Sequence, residues 1–148
     1  MLFADVVAAS ATVAATRSRL AKVQALAGLL RRLAPEDVEP AVAWLAGEPR
    51  QGRIGAGWRT LGAIETSPAD VPGLTVAVVD RALTTIGGTS GAGSVQRRAD
   101  TLGELFGAAT AAEQTFLRRL LMGELRQGAL EGVMVDAVAS AAEVPVTA

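Results

Sequence analysis

Gly47-Glu48-Pro49-Arg50-Gln51-Gly52 recurs 76 residues later as Gly123-Glu124-Leu125-Arg126-Gln127-Gly128, with five of six positions identical. Carried outward without gaps, the same offset pairs Ser18 with Ser94, Leu26 with Leu102, Leu29 with Leu105 and Leu45 with Leu121. It also sets Ile54 on Leu130 and Trp58 on Met134. A near-identical hexapeptide inside a matching apolar pattern is the mark of an internal repeat. The expected fold is all-α: an internally duplicated helical domain of two helix-loop-helix units, with Gly-rich loops related by pseudo-twofold symmetry. The units span about residues 18–64 and 94–140, joined by a connector helix over about 74–86, as one domain across 1–148.

The flanking sequence supports helices on both sides of each loop. Residues 2–16 form an Ala/Val run with Leu2, Val6 and Val13 on one face. Leu20, Val23, Leu26, Leu29, Leu30 and Leu33 make the next stripe, with Arg31 and Arg32 off it. Pro35 opens a third helix through Leu45, and Pro40 is expected to delay its regular part to about that position. The segment Gly47–Gly57 reads as a loop, and Trp58 to about Glu65 as a helix. Ser67–Gly73 is a connector, residues 74–86 an apolar helix, and Gly87–Gly93 a flexible glycine-rich loop. Ser94 begins a helix to about Ala109, and Thr110-Ala111-Ala112-Glu113 has the spacing of a capping box for the one that follows. The last helix covers about Glu131–Ala142, and Pro145 ends it.

Composition narrows the chemistry. Half of the 148 residues are hydrophobic and the mean hydropathy is +0.34, so the chain has the apolar content to fold. The best early apolar run, Val6–Thr16, falls short of the roughly 20 residues a membrane span needs. No basic segment precedes it as in a signal peptide, so a soluble, intracellular protein without a membrane partner is expected. There is no Cys and no His, which removes thiol nucleophiles, imidazole bases and their metal sites. The carboxylates fall in no metal loop, and Lys22 is the sole lysine. No catalytic residue, metal ligand or cofactor is therefore assigned within this chain.

Net charge is −1, yet 13 of the 14 basic residues are Arg, the residue suited to paired phosphate contacts. Arg50, Arg53 and Arg59 surround the first loop, and no acid lies in the sequence between Glu48 and Glu65. Gly52, Gly55 and Gly57 permit close approach to the backbone and leave amides uncovered ahead of a helix. Such a loop grips phosphate without reading sequence. In the second copy Arg126, Gln127 and Gly128 are retained, whereas Glu131 stands opposite Gly55. The plainer reading of either loop is a helix C-cap, with Arg in the last turn favoured by the helix dipole. A cap needs Gly but not Arg-Gln, so the duplicated Arg-Gln-Gly weighs toward a site. Arg97-Arg98 and Arg118-Arg119 read as solvated faces, and Trp44 and Trp58 as core anchors.

Arg50–Trp58, the Phe116–Leu121 run, Leu125–Gly132 and the opening Leu2–Val7 resemble the N-terminal DNA-binding domain of bacterial, actinobacterial-type ATP-dependent DNA ligases. The resemblance covers nearly the whole chain. It implies a helical domain that holds nicked duplex DNA across the minor groove through two related loops. Carried over by position, that role falls on Arg50, Gly52, Arg53, Gly55 and Gly57 in the first loop and on Arg126, Gln127 and Gly128 in the second. The repeat and the basic character of the first loop add Gln51 and Arg59 as candidates. It further implies a cytoplasmic, nucleoid-associated protein of DNA repair, replication and recombination. The family's nucleophilic Lys-x-Asp-Gly motif is missing, since Lys22 is followed by Val23-Gln24-Ala25. Adenylation and oligonucleotide-binding domains, with their ATP and Mg2+, are expected outside this chain. The competing function is a non-catalytic helical docking domain, supported by the net acidity and the apolar content.

Overall fold

The computed structural model describes residues 1–52, 54, 58–125 and 130–142; the side chains of residues 58, 59 and 130–132 lie outside that description. Eight helices are present among the described residues: α1 (Phe3–Ala15), α2 (Arg19–Arg32), α3 (Pro35–Leu45), α4 (Trp58–Gly62), α5 (Val76–Gly88), α6 (Ser94–Ala108), α7 (Ala111–Leu121) and α8 (Leu130–Ala141). The only pairing of extended backbone recorded for them is an isolated antiparallel bridge, Leu2 with Thr75. The regular structure of the described residues is all-helical, as the apolar periodicity requires.

Local chemistry sets most of the helix starts. Ser18 caps α2 by accepting the Ala21 amide at 3.2 Å, and Thr75 caps α5 by accepting that of Val78 at 3.2 Å. At α7 the capping box is complete: Thr110 Oγ1 accepts from the Glu113 amide at 3.3 Å, and Glu113 Oε1 accepts from the Thr110 amide at 2.8 Å. Glu113 is buried, so its side chain serves this cap rather than solvent.

Pro40 departs from expectation. α3 runs unbroken from Pro35 to Leu45 with Pro40 inside it. Proline withholds the amide that would reach the Glu36 carbonyl, but Glu36 is exposed, where water can serve that carbonyl. The Pro40 ring is buried, and its burial offsets the missing bond. Two smaller differences lie at helix ends: α5 runs Val76–Gly88 rather than 74–86, and α4 stops at Gly62.

The core is one continuous cluster. α2 packs on α8 and α1, α1 also meets α3 and α7, and α5 lies against α3 and α6. Phe3, fully buried, stands edge-on to Trp44 of α3 at 5.3 Å between ring centroids and to Phe116 of α7 at 5.6 Å. The residues around it tie the first residues of the chain to the start of α5 and to α3. Phe3 donates its amide to Leu74 O at 2.9 Å, Val76 donates to Met1 O at 3.0 Å, and the Met1 ammonium meets buried Asp37 at 3.2 Å. Trp44 is a core anchor as its setting suggested; the Trp58 side chain and Pro145 fall outside the described residues.

Two pairs of helices have bounds that follow the sequence offset, whereas α4 and α8 differ in length. Moving α3 along by 76 residues lands on α7, end for end, and α2 and α6 agree to within a residue or so. α3 and α7 also end alike. Gly47 donates to Trp44 O at 3.0 Å and Glu48 to Ala43 O at 3.1 Å; Gly123 donates to Leu120 O at 3.2 Å and Glu124 to Arg119 O at 2.8 Å. Both are Schellman caps, and both glycines have positive φ, 102° and 74°. A Cβ on Gly123 meets open space, so backbone strain alone sets the cost of Gly123→Ala. That substitution is expected to lower stability by about 1 kcal/mol, with Gly123→Asn milder, as read by urea unfolding. Equal stabilities for wild type and Gly123→Ala count against the cap.

Candidate nucleic-acid interface

The first loop leaves α3 through the Gly47 cap and turns at once. Gly52, at φ 75°, donates its amide to Pro49 O at 2.9 Å. That amide is therefore engaged within the turn, and Gly52 contributes its left-handed backbone rather than a free N–H. Ile54 is buried, and a Cβ placed on Gly87 comes within 3.4 Å of Ile54 Cγ2, so the chain lies close along α5 there.

Arg50 and Gln51 both reach α5. The Arg50 guanidinium pairs with the Asp80 carboxylate through two parallel bonds, Nε to Oδ1 and Nη2 to Oδ2, each 2.8 Å. Gln51 Nε2 donates to Asp80 Oδ1 at 2.7 Å, to Asp80 O at 3.2 Å and to Thr84 Oγ1 at 2.9 Å. Asp80, Thr84 and Gly87 follow one another a turn apart on one face of α5, and the loop is laid along that face. Partial burial pushes the Asp80 carboxyl up, but the bonds from Arg50 and Gln51 and the Arg50 charge more than offset this and hold it below its ordinary value. The bond to Asp80 and the Asp80 charge raise the Arg50 guanidinium correspondingly. Both groups stay ionised at neutral pH.

The stretch without acids in the sequence is thus supplied with one in space. Asp80 and Thr84 are site residues that the linear reading missed. Asp80 is the lone acid of α5, which is the only local signal, and nothing in the sequence ties it to a loop 30 residues earlier. Arg53, Gly55 and Gly57 lie outside the described residues; Arg59 belongs to α4 by its backbone. In the second loop Leu125 is buried, while Arg126, Gln127 and Gly128 lie outside the described residues.

The paired arginines elsewhere divide. Arg119 is exposed, as a solvated face requires, but Arg118 is not spent on solvent. It donates Nη1 to Leu61 O at 2.7 Å and Nη2 to Ile64 O at 2.9 Å, and its guanidinium carbon lies 5.0 Å from the centre of the Phe106 ring. These carbonyls close the helix that follows the first loop, so α7 holds the far end of α4. Arg97 donates to Ala92 O and Ser90 O, each at 2.8 Å, and Arg98 donates to Thr89 O. The glycine-rich loop before α6 is tied down by its own helix.

Among the described residues no three carboxylates gather as a metal site would require, and no helix is long and apolar enough to cross a membrane. An all-helical domain with a glycine-bounded Arg-Gln loop strapped to a helix is the class that fold and site define. The chain belongs to the DNA ligase N-terminus family, whose profile matches residues 63–139. It is 59% identical over 146 residues to a protein of Rhodococcus jostii (strain RHA1) named "Probable DNA ligase", covering 99% of this chain and 29% of that protein. A "Probable DNA ligase" of Saccharopolyspora erythraea is 58% identical over 97% of this chain and 28% of its own length. One from Mycolicibacterium gilvum is 57% identical over 98% and 28%. The chain therefore spans less than a third of the length of these relatives.

Proposed function

We propose that this chain is the duplex-DNA grip of an ATP-dependent, nick-sealing DNA ligase, built from two copies of one helical unit related by a pseudo-twofold axis. The observation that carries the reading is the matched pair of caps. The two Gly-Glu-x-Arg-Gln-Gly segments leave α3 and α7 through the same hydrogen-bonded turn, so each Arg-Gln-Gly run starts from an equivalent backbone. Two such loops side by side suit the two strands of one duplex, through phosphates and the minor groove, without sequence readout. Membership of the DNA ligase N-terminus family supports the same reading.

In this proposal Arg50, Gln51, Gly52, Arg53, Gly55, Gly57 and Arg59 form one contact and Arg126, Gln127 and Gly128 the other. The residues of this chain hold and orient DNA. ATP and Mg2+ supply the chemistry of strand joining in domains outside this chain, in the service of repair, replication and recombination.

The test is fluorescence anisotropy of the chain with nicked duplex, intact duplex and single strand, titrated between 50 and 200 mM salt as an order-of-magnitude range. Duplex binding tolerant of sequence, with a negative slope of log affinity on log salt, is expected. Replacing Arg50, Arg53 and Arg126 together by Ala should weaken all duplexes alike and make the slope shallower by about one per arginine. A triple variant with the wild-type slope refutes the loop assignment, and absence of duplex binding at low salt leaves the docking-domain alternative.

A further inference from the structure

We propose that Asp80 is a positioning residue for the first loop: it holds the Arg50 guanidinium by one edge and so presents the other edge to a DNA phosphate. The proposal rests on the DNA-binding reading above and assigns a role to an acid that a polyanion should otherwise disfavour.

A guanidinium has two edges from which it can make paired contacts, one formed by Nε and the nearer terminal nitrogen, the other by the two terminal nitrogens. Asp80 takes the first, with both bonds at 2.8 Å. No hydrogen bond is recorded for Nη1 among the described residues, and the Arg50 side chain is 36% exposed against 17% for Asp80. The carboxylate is thus the inner member of the pair and the guanidinium the outer. Asp80 is itself held, because Gln51 Nε2 bonds its Oδ1 and its backbone oxygen while also reaching Thr84 Oγ1. Its backbone is fixed within α5, which packs on α3 and α6. A long arginine chain on a surface loop is thereby ordered before DNA arrives, and the entropy of ordering it is not charged to binding.

The sign of one substitution separates this from simple electrostatics. If Asp80 merely repels DNA, Asp80→Asn strengthens duplex binding, since one negative charge is lost. If Asp80 positions Arg50, Asp80→Asn weakens it, by roughly threefold to tenfold for one unordered side chain. Asp80→Glu leaves net charge untouched but moves the carboxylate out by a methylene; it should fall between wild type and Asp80→Asn.

The experiment measures anisotropy with a nicked duplex at fixed salt for wild type, Asp80→Asn, Asp80→Glu, Arg50→Ala and the Arg50→Ala/Asp80→Asn pair, at a temperature below every melting transition. Weakening by Asp80→Asn that disappears in the Arg50→Ala background, with partial recovery in Asp80→Glu, is the expected result. A merely structural role weakens binding equally in both backgrounds and overturns the proposal. So does stronger or unchanged binding in Asp80→Asn while Arg50→Ala weakens it, an outcome that leaves the DNA-binding reading standing. Should Asp80→Asn not fold, Asp80→Glu with wild-type affinity overturns the proposal by itself. If Arg50→Ala has no effect on salt-dependent binding, the assignment of the first loop fails before Asp80 is in question.

Discussion

Phe3→Ala is expected to destabilise the chain by about 3–5 kcal/mol, as large-to-small changes at buried aromatic sites do. The ring is fully buried and makes edge-on contacts with Trp44 and Phe116, one from α3 and one from α7. Its removal costs the transfer of an aromatic ring, two favourable ring pairs and a cavity that neither neighbour can fill by rotation alone. Relaxation is restricted because the backbone on either side is pinned: the Phe3 amide is bonded to Leu74 O, and Met1 O accepts from Val76. For a domain of this size the loss corresponds to a fall in Tm of roughly 10 °C, readable by circular dichroism. Phe3→Leu should recover about half of it, because Leu restores volume without the ring pairs. A Phe3→Ala melting transition within about 2 °C of wild type is incompatible with this packing.

Arg118→Ala is the second large effect, about 2–3 kcal/mol, and its origin is polar. Arg118 donates to two carbonyls, Leu61 O and Ile64 O, at the end of α4. Leu61 lies in the last turn of α4 and Ile64 two residues beyond it, and a fork from α7 serves both carbonyls. Truncation takes this donor from Ile64 O, leaves Leu61 O with only the 3.3 Å bond from the Ile64 amide, and removes the cation from the face of Phe106. Arg118→Lys should keep less than half of the contribution, since one ammonium cannot span both acceptors in the same plane. Hydrogen exchange offers the sharper readout: amides of α4 should lose protection in Arg118→Ala more than those of α2. Uniform loss across all helices indicates a global effect instead and refutes the specific tie.

Elements governed by neighbours in sequence were legible, and those governed by distant partners were not. Thr110 and Glu113 lie three residues apart, so their reciprocal cap is written in the sequence and appears as written. Leu26 and Leu29 of α2 announce its buried face in the same way, whereas Leu20, expected in the same stripe, is 67% exposed in the first turn of the helix. Pro40 misled because propensity counts the lost amide and not the buried ring. Arg118 was read as a solvated residue because its acceptors are main-chain oxygens, which every residue carries and no sequence pattern marks. Arg98 was misread for the same reason, while Arg97 is exposed as read and also bonds main-chain oxygens. At the candidate interface the repeat pointed to Arg50 and Gln51, but the absence of nearby acids in sequence concealed Asp80, which the packing of α5 on α3 brings alongside. Burial follows composition and period; pairing of charges follows topology.

The pairing of α2 with α8 also bears on how the chain is made. Arg19 meets Asp136, and Arg31 donates to Ser140 O at 2.9 Å, so α2 is covered by α8, the last of the described helices. A ribosome releases residues in order, and more than a hundred must follow Arg19 before Asp136 emerges. Through that interval Leu26 and Leu29 have only α1 and the helices already formed to shield them. The nascent chain must therefore wait for α8 before this face of α2 is covered, so the two helices that meet there are made far apart in time.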